Sequence, residues 1–155
     1  MRKLLLLGAV VALVGVVGFG LTGNTSDAQS VVVFKTPTCG CCGKWVDHLR
    51  EAGFEVEVRD MDNLAGIKAQ YGVPQPVRTC HTALVDGYVV EGHVPAAFVT
   101  RLLEERPDVA GIAVPGMPVG SPGMEVAGTP GAAYDVIAFN GSGDTSVFGH
   151  VEGGR

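Results

Sequence analysis

Three of the four cysteines in this sequence stand within four residues, Cys39-Gly40-Cys41-Cys42, and the fourth, Cys80, lies far along the chain. A thiolate is both a nucleophile and a soft metal ligand. Cys39 and Cys42 have the spacing of a redox dithiol, and a bridge between them is feasible; a second bridge would then join Cys41 to Cys80. Clustering points instead to thiolates gathered for redox work or for a metal. Cys41 weighs between these two. A third thiol gives an oxidised pair a competing partner, which compromises a clean two-state couple. Three soft sulfurs in one loop suit a soft ion such as Cu(I).

Further donors follow from hairpin arithmetic. Asp86-Gly87 between two apolar runs is a strong signal for a two-residue turn. Val85 then faces Tyr88, Leu84 faces Val89 and, further out, Cys80 faces His93. Opposed side chains have Cβ atoms about 5 Å apart, so Cys80 and His93 are expected as a thiolate–imidazole pair. His81 points away from Cys80 in a regular strand. It joins the site only if the backbone at Thr79-Cys80 is irregular. Met117 and Met124 are thioether donors in one Gly/Pro-rich loop and suit the same soft metals. His48, two turns into a helix, is expected on the surface, and His150 in the tail is expected to be solvated. Met61 reads as packing, and Asp60 and Asp62 as a solvated turn.

These residues need elements to position them. Val31 to Phe34 is an apolar run of strand type. Lys44 to Ala52 reads as a helix, with Trp45, Leu49 and Ala52 on one face and Gly53 as its stop. Cys39, Cys41 and Cys42 would straddle its N-terminus, where unpaired N–H groups and the helix dipole favour thiolates. Phe54 to Val58 alternates as a strand, and Leu64 to Tyr71 is a short helix closed by Gly72 and Pro74. Cys80–Val85 and Tyr88–His93 form the hairpin. Pro95 to Arg106 is a third helix, ended by Pro107, with Val94, Phe98 and Leu102 along its inward stripe. The order βαβαββα over residues 31–107 is that of an α/β, thioredoxin-like core, with Cys39 where the first strand feeds the first helix. Right-handed crossover makes the first two strands parallel.

A C-terminal extension, residues 108–155, follows. Ten of the 21 residues from 111 to 131 are Gly or Pro, which excludes a helix or a long strand there. Ile112, Val114, Met117 and Met124 are too apolar for a free linker, so an ordered loop lying on the core is expected. Tyr134–Phe139 and Thr145–Phe148 then form a terminal β-hairpin around Gly141-Ser142-Gly143.

Residues 1–28 carry Arg2 and Lys3, an apolar run from Leu4 to Leu21 and a small polar stretch, the pattern of an export signal. Ser26-Asp27-Ala28 offers a cut before Gln29. The run is long enough for an uncleaved membrane anchor to compete with a cleaved signal. Either way the body is expected outside the cytoplasm, where four cysteines read by default as two disulfides. Loss of Arg2, Lys3 and Asp27 takes the net charge from −5 to −6. An acidic body argues against nucleic acid or anionic lipid as partner. Membrane contact is expected only through residues 1–28, and the chain is expected to be a monomer.

Five motifs resemble one family. Pro37-Thr38-Cys39-Gly40-Cys41-Cys42, Gly72-Val73-Pro74, Cys80-His81-Thr82, Glu91-Gly92-His93-Val94-Pro95 and Pro115 to Glu125 resemble, in order, the periplasmic copper-resistance proteins of the CopG type. The resemblance runs from about residue 31 to 139. It implies a thioredoxin-like domain with an extension that helps hold copper at the Cys-x-Cys-Cys motif, a role in copper tolerance, and periplasmic copper-resistance proteins as partners. Three functions share these residues. One is a copper-binding, redox-active protein using Cys39, Cys41, Cys42, Cys80, His93, Met117, Met124 and His81, whose many sulfurs suit a multinuclear copper–sulfur cluster. A second is a thiol–disulfide oxidoreductase using Cys39 and Cys42. The third is a copper chaperone without catalysis.

Overall fold

The computed structural model describes residues 28–154. The expected export signal or anchor lies outside them, apart from Ala28. Among the described residues no helix is long and apolar enough to cross a membrane.

The protein is mixed α/β, and the expected order βαβαββα is the observed one. Strand β1 (Ser30–Lys35) leads to helix α1 (Gly40–Glu51), strand β2 (Glu55–Asp60), helix α2 (Ala65–Gln70) and a single 3-10 turn over Gln75–Val77. Strands β3 (Thr82–Val85) and β4 (Tyr88–Gly92) form the hairpin, and helix α3 (Ala96–Glu105) follows. The extension supplies β5 (Gly111–Val114), β6 (Tyr134–Phe139) and β7 (Thr145–Val151). All strands join one seven-stranded sheet in the order β2-β1-β3-β4-β5-β6-β7. β1 and β2 are parallel, and β3 runs antiparallel to β1.

Three departures from expectation have a physical reason. Helix α1 begins at Gly40, four residues before Lys44, so the cysteine motif forms its first turn. Gly40 and Gly43 are poor helix formers and hide that start. Gly111–Val114 is a strand rather than loop. It lies parallel to β4, with Val90 opposite Ile112, and all four of its residues are buried. On α3 the buried stripe is Ala96, Val99 and Leu102. Phe98 is displaced to the rim, where its ring meets Phe148 of β7 edge to face at 6.3 Å.

The sheet has two unequal faces. Val31, Val33, Ala83, Val85, Val90 and Ile112 point to one side, where Trp45, Val46 and Leu49 of α1 and Val99 and Leu102 of α3 cover them. Alternation sends Leu84, Val89 and Ala113 to the other side, which packs Val73, Val77 and Phe139. Trp45 is fully buried and donates its indole N–H to the Val94 carbonyl at 2.8 Å. That bond ties α1 to Val94, two residues before α3. Truncating a buried aromatic of this size costs about 3–5 kcal/mol.

Candidate metal centre

The first wall of the site is the start of α1. Cys39 is the N-cap residue in extended conformation, and its carbonyl accepts from the Gly43 N–H at 3.2 Å. Cys39 and Cys42 are joined as a disulfide, so neither presents a thiol to ionise in this form. The second bridge of the default pattern is not formed: Cys41 and Cys80 are free. Cys41 Sγ lies 3.5 Å from Cys39 Sγ. The four sulfurs all lie within 4.8 Å of one another.

The second wall is the hairpin. Its register is the one expected from the Asp86-Gly87 turn, with Val85 opposite Tyr88 and Thr82 opposite Glu91. Carried outward it sets Cys80 against His93, and Cys80 Sγ stands 3.2 Å from His93 Nε2. Residues 80 and 81 leave the strand, Cys80 in a bend. The irregular backbone brings His81 to the same side, with its Nδ1 3.3 Å from Cys80 Sγ. Cys80, His81 and His93 therefore present three donor atoms within 4.8 Å of one another.

Tautomers and charge suit ligation. A carbonyl only accepts, so His93 Nδ1–H donates to Pro122 O at 2.8 Å and leaves Nε2 facing Cys80. Orienting one ring nitrogen by a carbonyl is the usual support of a metal-binding histidine. Burial holds the His93 pKa below its ordinary value, against the opposing pull of the Pro122 bond and of Glu125. Burial, then the charges of His93 and Lys68, hold His81 well below it. Both rings are thus neutral at pH 7, the form that ligates. His81 Nε2 is buried and without a hydrogen-bond partner among the described residues. Burial, then Cys41, pushes the Cys80 thiol up to about 12. A metal taking that sulfur as thiolate would displace its proton.

The third wall is the extension, which lies on the core as an ordered loop. Pro122 reaches His93, and Gly123 lies flat on the start of α1. A Cβ at Gly123 would stand 2.6 Å from Cys41 O and 3.0 Å from Trp45 N, and its φ is +86°. Met124 follows at once and is half-buried. Met117 sits on the turn after β5 with φ +49° and is 39% exposed.

Other residues took roles the sequence did not suggest. His48 is not a free surface residue: its Nε2 accepts the Ala96 N–H at 3.0 Å and caps the start of α3. The Trp45 ring lies 4.4 Å from the His81 ring. Behind the hairpin is a buried ion pair, Lys68 Nζ to Glu91 Oε1 at 2.5 Å. The Glu91-Gly92-His93 run held the only sequence signal for it, a carboxylate on a strand otherwise apolar. Met61 is half-buried, in keeping with packing; Asp60 ends β2 rather than forming a turn and pairs with Lys35 at 2.8 Å, and Asp62 is exposed in a bend. His150 is exposed and meets Asp135 across the β6–β7 pair at 2.6 Å.

Sheet and site together define an α/β protein whose sulfur and imidazole donors converge where β1 enters α1, beneath a Gly/Pro-rich loop. Comparison with known proteins gives this class a family. Residues 77–124 match the family described as "Protein of unknown function, DUF411". Two solved structures, forms 2 and 1 of the copper resistance protein CopG, are each 42% identical to this chain. Each alignment covers 81% of this chain and 99% of the other, with TM-scores of 0.76 and 0.75. No curated protein matches. The chain belongs to the CopG-type family of copper resistance proteins.

Proposed function

We propose that this chain is an exported copper-binding protein of copper tolerance, redox-active and held outside the cytoplasm by or after its N-terminal segment. The observation that carries this reading is that two donor groups, Cys39–Cys41–Cys42–Cys80 and Cys80–His81–His93, each lie within 4.8 Å internally and share Cys80. Thiolate and imidazole donors fit copper in its lower oxidation state. His81 presents Nδ1 to Cys80 at 3.3 Å, so a soft ion held by that sulfur could take this nitrogen as well. Cys39 and Cys42 enter the donor set when their disulfide is reduced, and four sulfurs then suit a multinuclear cluster. Met117 and Met124 are proposed as the extension's contribution. The strand order β2-β1-β3-β4, with β1 parallel to β2, supports a thioredoxin-like core over residues 31–107. The periplasm is the proposed location, and other copper-resistance proteins there are the proposed partners of this monomer.

The test is metal uptake. Reduced protein is loaded anaerobically with Cu(I), and its bound copper is measured with and without Cys39→Ser plus Cys42→Ser. The reading expects lower stoichiometry in the double variant; unchanged copper content overturns the cluster's role. The Cys39–Cys42 disulfide favours a second reading, a thiol–disulfide oxidoreductase. That reading expects metal-free protein with Cys41→Ala, kept reduced by an added dithiol, to reduce insulin disulfides as the unaltered chain does.

A further inference from the structure

Cys80 and His81 face the same way only because the chain bends there, and the residues on either side of them are both held by one carboxylate. Glu91 Oε1 accepts from the Thr79 backbone N–H at 2.6 Å and from the Thr79 hydroxyl at 3.3 Å. Its Oε2 accepts from the Thr82 hydroxyl at 2.7 Å. Lys68 of α2 closes the group, donating to Glu91 at 2.5 Å and to Thr82 Oγ1 at 2.9 Å. Glu91 has no exposure and Lys68 only 6%. Gly92 completes the fit. Its N–H donates to His81 O at 3.2 Å, and a Cβ in its place would meet Thr79 Oγ1 at 2.6 Å.

A buried ion pair is weak evidence of stability, because apolar residues of similar volume often serve as well. What the pair holds in place is more informative. A regular strand through residues 79–82 would satisfy itself by ladder bonds and send His81 to the opposite face from Cys80. The Glu91 carboxylate instead takes the Thr79 N–H out of the ladder. We infer that Glu91 is a positioning residue for the Cys80–His81 donor pair. It acts through the Thr79 backbone and the Thr82 hydroxyl, with Lys68 as its counter-charge. The inference deepens the copper-binding reading and rests on it only for the word donor; the bend itself is a property of the metal-free chain.

The test separates hydrogen bonding from charge and from folding. Lys68→Met with Glu91→Gln removes both charges but keeps an acceptor for Thr79. Lys68→Met with Glu91→Leu removes the acceptor too. Two readouts are used on each reduced protein: amide exchange at Thr79 without metal, and Cu(I) affinity by competition with a colorimetric chelator. The Gln variant is expected to keep slow exchange and an affinity within about threefold, and the Leu variant to exchange fast and bind about 10- to 100-fold more weakly. A Leu variant with native circular dichroism, slow Thr79 exchange and unaltered affinity overturns the assignment. If the Leu variant does not fold, Glu91→Asp replaces it, keeping the charge but shortening the reach; unaltered exchange and affinity there overturn the assignment equally. If the unaltered chain takes up no Cu(I), the functional reading falls, and Thr79 exchange still decides whether Glu91 holds the bend.

Discussion

Cys80 Sγ lies 3.2 Å from His93 Nε2, and strand register rather than nearness in sequence joins them. The turn at Asp86-Gly87 fixes the pairs as far as Thr82–Glu91, and Cys80 lies just beyond them in a bend, with its sulfur against His93. With Nδ1 committed to Pro122, His93 has one nitrogen to give. His93→Gln is expected to weaken Cu(I) binding by about 10- to 100-fold while the fold persists. Chelator competition checks this, and an unaltered affinity would remove the imidazole from the donor set.

Gly123 is where the extension touches the motif helix, and its backbone leaves no room for a methyl group. Gly123→Ala forces the loop off Cys41 and strains a left-handed position. A loss of about 1–3 kcal/mol is expected in urea unfolding. Alkylation of Cys41 should accelerate in the same variant. A native rate of alkylation would mean that the loop does not shield the cluster.

His48 caps α3 from another helix. Because its Nε2 accepts the Ala96 N–H, the other ring nitrogen carries the proton of the neutral ring. His48→Ala is expected to cost about 0.5–2 kcal/mol, the range for losing an N-terminal cap. Equilibrium unfolding of the variant gives the number directly, and no loss at all would mean that water replaces the cap at no cost.

His150 offers a pH test remote from the metal centre. The hydrogen bond to Asp135 raises its pKa above the ordinary 6.5 against the opposing effect of desolvation, with lesser help from the charges of Glu152 and Asp135. A raised folded-state pKa means a contribution fully present below the unfolded value and lost as pH rises through the folded one. Nuclear magnetic resonance should show the His150 ring titrating above 6.5, with Asp135→Asn bringing the midpoint down. Identical midpoints in the two proteins would contradict the pairing.

Legibility followed the range of the interactions. The Cys80–His93 contact could be read because the two-residue turn sets a local register that holds through Thr82–Glu91 and brings the residues just beyond it together. The order of elements through α3 was legible from periodicity for the same reason. His81 was not decided by local rules, since its direction depends on Glu91, ten residues on, and Lys68, on another element. The His48 cap joins α1 to α3, and no spacing in the sequence encodes that contact. β5 escaped because four buried residues at the head of a Gly/Pro-rich run carry no alternation; only β4 beside them makes them a strand.

The Cys39–Cys42 disulfide leaves the chain with two thiols, where full reduction would give it four. The number of sulfurs on offer is therefore set by the supply of electrons before any ion arrives. Two proteins of identical sequence, one oxidised and one reduced, would differ in capacity under the same dose of copper. On the copper-binding reading, such a chain would link its capacity for metal to the redox poise around it.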